Sequence, residues 1–160
     1  MLYLVGVLMS HSGLSLLTDS HAAENGPISA GAWTRRSVLV VEDDRAILDS
    51  LKNALQDEGF DVVTAANGCE ALEALRAGGR PSAILLDLMM PVMDGWDFRQ
   101  EQLADPALRD IPVLIVTATG FSAESVRAQF GDVALFSKPV PWTELLEILE
   151  RICQSVSSAA

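Results

Sequence analysis

The sequence predicts a doubly wound α/β fold, a five-stranded parallel sheet with helices on both faces. Three observations predict it. Short apolar, β-branched runs alternate with segments of helical period between Ser37 and Ile152. The runs are apolar on both faces, as strands covered from both sides must be. Glycine, proline and Asx residues mark the junctions. Right-handed crossovers between parallel strands then distribute the helices over both faces of the sheet.

The first run, Ser37–Val41, ends in Glu42-Asp43-Asp44 and reads as a buried strand. A helix near 45–58 follows, with Ile47, Leu48, Leu51, Ala54 and Leu55 on one face and Lys52, Asn53, Gln56 and Asp57 on the wet face. Gly59 supplies its stop. Asp61–Ala65 is the second strand, Asn67-Gly68 a turn, and 69–77 a short helix closed by Gly78-Gly79 and Pro81. Ala83–Leu86 is the third strand and ends at Asp87. A loop with Pro91 and the turn Asp94-Gly95 leads into a helix near 96–104. Ile111–Val116 is the fourth strand, ending at Thr117, and a weak helix near 122–130 follows. The short fifth strand, Val133–Phe136, ends at Lys138-Pro139. Pro141 opens a last helix that buries Leu145, Leu146, Leu149 and Ile152.

A chain of 160 residues, 49% hydrophobic, suits one domain with a modest extension. The expected organisation is a poorly ordered extension over 1–37, the domain over 38–153 and a tail over 154–160. The formal net charge is −11. Residues 1–37 are neutral, Arg35 and Arg36 offsetting Asp19 and Glu24, so the whole imbalance falls on the domain. Such a surface repels nucleic-acid phosphate and anionic lipid, so neither nucleic acid nor membrane is an expected partner. No helix-turn-helix module is read after the domain. Cys69 and Cys153 have no metal-site or redox-pair spacing and read as free, mostly buried thiols of a cytoplasmic protein. The apolar stretch Leu2–Met9 is too short and interrupted to span a bilayer and lacks the basic flank of a secretory signal, although Ser20-His21-Ala22 loosely resembles a cleavage site. A poorly ordered extension, or a start at Met9, accounts for it better than a targeting segment does.

In an open parallel sheet, ligands bind beyond the carboxyl ends of the strands, where the strand order reverses. Glu42, Asp43, Asp87, Thr117 and Lys138 all fall at those ends. Three carboxylates in one crevice repel, so either a proton or a cation must neutralise them. Hard oxygen ligands with room for water favour Mg²⁺. A carboxylate can also attack phosphorus to give an acyl phosphate. In that reaction Lys138 would supply a positive charge, Thr117 a hydroxyl donor, and Ala118 space for the incoming oxygens.

Val40-Val41-Glu42-Asp43-Asp44, Asp87-Leu88-Met89-Met90-Pro91 with Asp94-Gly95, Thr117-Ala118 and Lys138-Pro139 together resemble the response-regulator receiver family of two-component signalling, from Val38 to Ile152. Each motif is weak alone; in this order, on these strand ends, they are specific. The resemblance implies a flavodoxin-like fold, with Asp87 as phosphoacceptor. It implies Asp43 as direct metal ligand, Glu42 as a second acid acting through water, and the Met89 carbonyl completing the coordination of Mg²⁺. It further implies Thr117 as the hydroxyl that senses the phosphoryl group, Lys138 as counter-ion, and a cis peptide before Pro139. It also implies a stand-alone receiver, not an enzyme, that takes its phosphoryl group from a histidine kinase or histidine phosphotransfer protein. Such a receiver meets a downstream protein through its fourth helix, fifth strand and fifth helix, as a monomer or weak dimer.

Blander roles compete at several positions. Asp44 reads as a helix cap and Asp94 as part of a turn. Met89 and Met90 read as packing in their side chains, and Trp96 and Trp142 as helix-start packing. His11 and His21 lie outside the domain and are not phosphodonors. One departure matters: receivers carry an aromatic three residues before the lysine, whereas here that position is Leu135 and the aromatic is Phe136. In a strand that offset turns the ring to the other face. The segment between Thr117 and Lys138 is also about one residue short, which predicts a short fourth helix. Two other readings therefore stand beside the first: an interaction module with an impaired switch, and a Mg²⁺-dependent phosphohydrolase with an aspartyl nucleophile. Against the phosphohydrolase, the chain has no cap domain and no acid two residues after Asp87.

Overall fold

The computed structural model describes residues 33–118 and 120–158. Strand and helix alternate throughout: β1 (Ser37–Val41), α1 (Arg45–Asp57), β2 (Asp61–Ala65), α2 (Gly68–Arg76), β3 (Ala83–Leu86), α3 (Gly95–Ala104), β4 (Val113–Thr117), α4 (Ala123–Phe130), β5 (Ala134–Ser137) and α5 (Trp142–Ser158). The strands form one parallel sheet in the order β2-β1-β3-β4-β5. The order reverses between β1 and β3, so the crevice beyond their carboxyl ends is the expected site.

Alternation along each strand splits the core into two layers. Leu39, Val41, Ile84, Leu86 and Ile115 face α2, α3 and α4, around Leu72, Phe98 and Phe130. Val38, Val40, Leu85, Leu114 and Phe136 face the other way, against Leu51 and Leu55 of α1 and Leu145 and Leu149 of α5. Both faces of the central strands are therefore covered, which is why their sequences are continuously apolar.

The helix starts follow from side-chain caps. Asp44 accepts from the Ala46 and Ile47 amides, Asn67 from Glu70, Asp94 from Asp97 and Ser122 from Ser125. Asp94-Gly95, expected as a turn, is thus a cap and the first helical residue of α3. Boundaries elsewhere shift by a residue or two. β4 begins at Val113, beyond Pro112, which has no amide to give the ladder. Pro141 stands just before α5, its carbonyl accepting from Leu145. Helix α5 runs on to Ser158, through most of the segment expected as a tail.

The expected N-terminal extension lies outside the described residues up to 32. From residue 33 the chain has contacts. Trp33 packs against the α2-side core, and Arg36 forms an ion pair with Glu150 of α5 at 2.7 Å. Arg36 also donates to the Glu58 and Gly59 carbonyls and lies 4.4 Å above the Phe60 ring. Cys153 is buried and Cys69 half-buried, both as free thiols. No helix among the described residues is long and apolar enough to cross a membrane.

Candidate functional site

Backbone hydrogen bonds align the strand ends. The Asp87 amide donates to Val41 at 3.0 Å, the Glu42 amide to Ala65 at 3.1 Å, and the Lys138 amide to Thr117 at 2.9 Å. The residues just past each strand therefore share one rim. Glu42, Asp43 and Asp87 each bring a carboxylate oxygen there, all within 4.8 Å of one another. Glu42 and Asp87 are buried and Asp43 is exposed, so the cluster opens to solvent on one side.

Lys138 reaches in from the end of β5. Its Nζ donates to Glu42 Oε2 at 2.6 Å and to Asp87 Oδ2 at 2.8 Å. The Met89 amide donates to the other Asp87 oxygen, Oδ1, at 3.1 Å, and the Asp44 amide to Glu42 Oε1 at 3.2 Å. Thr117 is buried, and its Oγ1 has no hydrogen-bond partner among the described residues. Ala118 is exposed at the rim, and the Lys138-Pro139 peptide is cis. Asp44 points its carboxylate into the α1 cap and away from the cluster.

Burial raises the Glu42 carboxyl above its ordinary value of 4.5; the Asp87 charge adds to this and the Lys138 bond opposes it. Burial also works against the Lys138 ammonium, but its bonds to Asp87 and Glu42 outweigh that and hold it above 10.5. The cluster therefore carries more negative charge than it comfortably holds. Its hard oxygen donors, half open to water, suit Mg²⁺ or a similar divalent cation. The partnerless hydroxyl of Thr117 offers a donor for an anion bound beside them.

Gly95 lets the next helix approach. A Cβ there would lie 2.2 Å from the Asp87 carbonyl oxygen and 2.7 Å from the Leu88 Cα. Sequence reasoning took Gly95 only as turn chemistry; the signal is in the packing and not in the motif. Leu135 is half-buried on the α4 side, and Phe136 is buried on the α1–α5 side, as the one-residue offset predicts. Beside Lys138 a groove of about 800 Å³ runs between α1 and the β5–α5 connection, lined by Ala46, Ile47, Leu51, Pro139, Val140 and Trp142.

Residues 38–150 match the response regulator receiver domain. The chain is 35% identical over 121 residues to response regulator MprA of Mycobacterium sp. (strain KMS), spanning 75% of this chain and 51% of that relative. The chain thus spans about half the length of the curated relatives it matches. Among solved structures, it resembles the N-terminal domain of a response regulator receiver protein from Methanoculleus marisnigri JR1 (38% identical, TM-score 0.58, covering 72% of this chain and 94% of that one). It also resembles response regulator protein TrrA from Thermotoga maritima, solved in complex with Mg²⁺-BeF (28% identical, TM-score 0.64, covering 73% and 98%). With the strand order, the acidic cluster and these likenesses together, the chain belongs to the response regulator receiver domain family.

Proposed function

We propose that this receiver accepts a phosphoryl group on Asp87 from a histidine kinase or histidine phosphotransfer protein and signals through a protein target, inside the cell. The observation that carries the reading is the Lys138 ammonium bonded at once to Glu42 and Asp87, with Asp43 beside them.

Asp87 is the nucleophile. One of its oxygens attacks phosphorus as the P–N bond to the donor imidazole breaks. The bonding pair returns to the imidazole nitrogen, and Asp87 becomes an acyl phosphate. Lys138 balances the charge that the phosphoryl oxygens bring, and the Thr117 hydroxyl donates to one of them. The exposed Ala118 leaves room for these oxygens. Asp43, Asp87 and the Met89 carbonyl, assisted by Glu42, would hold a divalent cation, which would supply further neutralisation of the phosphoryl charge. The acidic surface argues against nucleic acid as the direct ligand.

Incubation with phosphoramidate or acetyl phosphate and Mg²⁺ is expected to add one phosphate by intact mass. Asp87→Asn is expected to add none; labelling that persists in this variant defeats the assignment. A second reading, an interaction module with an impaired switch, draws on the half-buried Leu135 on the face beneath α4. It predicts that Asp87 takes up phosphate while no other part of the chain responds.

A further inference from the structure

Trp96 ties the phosphoacceptor strand to both ends of α4. It is the second residue of α3 and directly follows Gly95, which sits against the backbone of Asp87 and Leu88. Its ring centroid lies 4.9 Å from that of Phe130, the last residue of α4, with the planes 32° apart. On the other side it lies 5.6 Å from Phe121, with the planes at 59°, just ahead of the Ser122 cap of α4. Both separations are those of favourable aromatic pairs. Helix α4 is short and buries Val126 and Phe130. One indole thus clasps it fore and aft.

Phe121 is also the aromatic nearest in sequence to Thr117 on the β4–α4 connection. The Thr117 hydroxyl is buried without a partner among the described residues, so an anion on Asp87 gives it an acceptor and pulls on the start of that connection. On β5, the apolar residue facing this side of the sheet is Leu135, which offers no oriented ring. The aromatic contact able to register the pull is Phe121 on Trp96.

We infer that Trp96 is a positioning residue that couples Asp87 to α4 through the Phe121 ring, so that the responsive surface is the α3–α4 edge. The inference rests on Asp87 being the phosphoacceptor. With Trp33 and Trp142 replaced by Phe, Trp96 is the sole indole of the three. The probe is Mg²⁺ with beryllofluoride, its uptake followed by fluorine NMR independently of Trp96. Loading is expected to shift Trp96 emission and to change amide exchange across residues 123–130. Phe121→Leu keeps the loading but loses the emission shift, and Phe121→Tyr restores it. Trp96→Leu, read by exchange alone, leaves α4 insensitive to loading. A loaded protein with unchanged Trp96 emission, a shift that survives in Phe121→Leu, or an α4 response that survives in Trp96→Leu overturns the coupling while leaving the phosphoacceptor reading intact. A protein that takes up no beryllofluoride overturns both.

Discussion

Glu42 is 2% exposed and carries its charge beside Asp87, with Lys138 to offset it. Because burial outweighs that ion pair, its ionised form is held at a cost in the fold. Glu42→Gln is therefore expected to raise the thermal unfolding midpoint in a chelator while weakening Mg²⁺ binding; a lowered midpoint would contradict the electrostatic account. Val92 shows a different strain. It has φ 71°, is β-branched and is 84% exposed on the loop after Asp87. A left-handed backbone costs such a residue about 1–2 kcal/mol. Val92→Asn should stabilise the fold by about 1 kcal/mol, read by denaturant melts, since Asn tolerates that conformation. At this scale the sequence was partly readable. The acids and Lys138 announce themselves because strand ends place them, and Asp44 was separable from Asp43 because a helix start needs a cap. Arg99 and Gln102 were not readable. Both are buried on α3, Arg99 bonded to Gln102 and Gln102 to the Leu108 and Ile111 carbonyls. Arg99 depends on Gln102, and Gln102 on loop carbonyls that no pattern in the chain encodes.

Among the elements, α3 has an incomplete apolar face, because the polar side chains of Arg99 and Gln102 share its inner side with Phe98. Its seat depends on Gly95. Gly95→Ala must move the Asp87–Leu88 backbone or α3 itself, and is expected to cost about 2 kcal/mol of stability. It should also slow phosphate uptake, measured by melts and intact mass respectively. Helix α5 is held differently, by Arg36 from the far end of the chain. The bond from Arg36 holds the Glu150 carboxyl below its ordinary 4.5. A carboxyl lowered in the fold stabilises it above the unfolded value, and that contribution is lost as pH falls through the folded one. Arg36→Ala should therefore flatten the acid limb of the stability profile, seen in melts across pH 3–6 relative to the parent. The strands were read to within a residue or two because their continuous apolar runs report burial on both faces. The ends moved where Pro112 removed a ladder donor, a backbone effect that periodicity does not see.

Across the whole molecule, net charge of −11 makes the folded chain repel itself, and added salt should raise the unfolding midpoint by screening that repulsion. The doubly wound topology was readable because five repeats of one unit allow few arrangements. What the repeat pattern hid was the upstream edge. Trp33 lies close enough to α2 that a Cβ on Gly79 would come within 2.8 Å of its indole, and Arg36 reaches across to α5. Both precede the first strand and lack any periodic signal. A fragment cut at Val38 is thus expected to melt below one cut before Trp33, and equal melting would show these contacts to be idle. Anyone grafting another module upstream of this receiver would be pulling on a handle wired to α2 and α5 together, so tension or docking in the attached piece would be felt on both layers of the sheet.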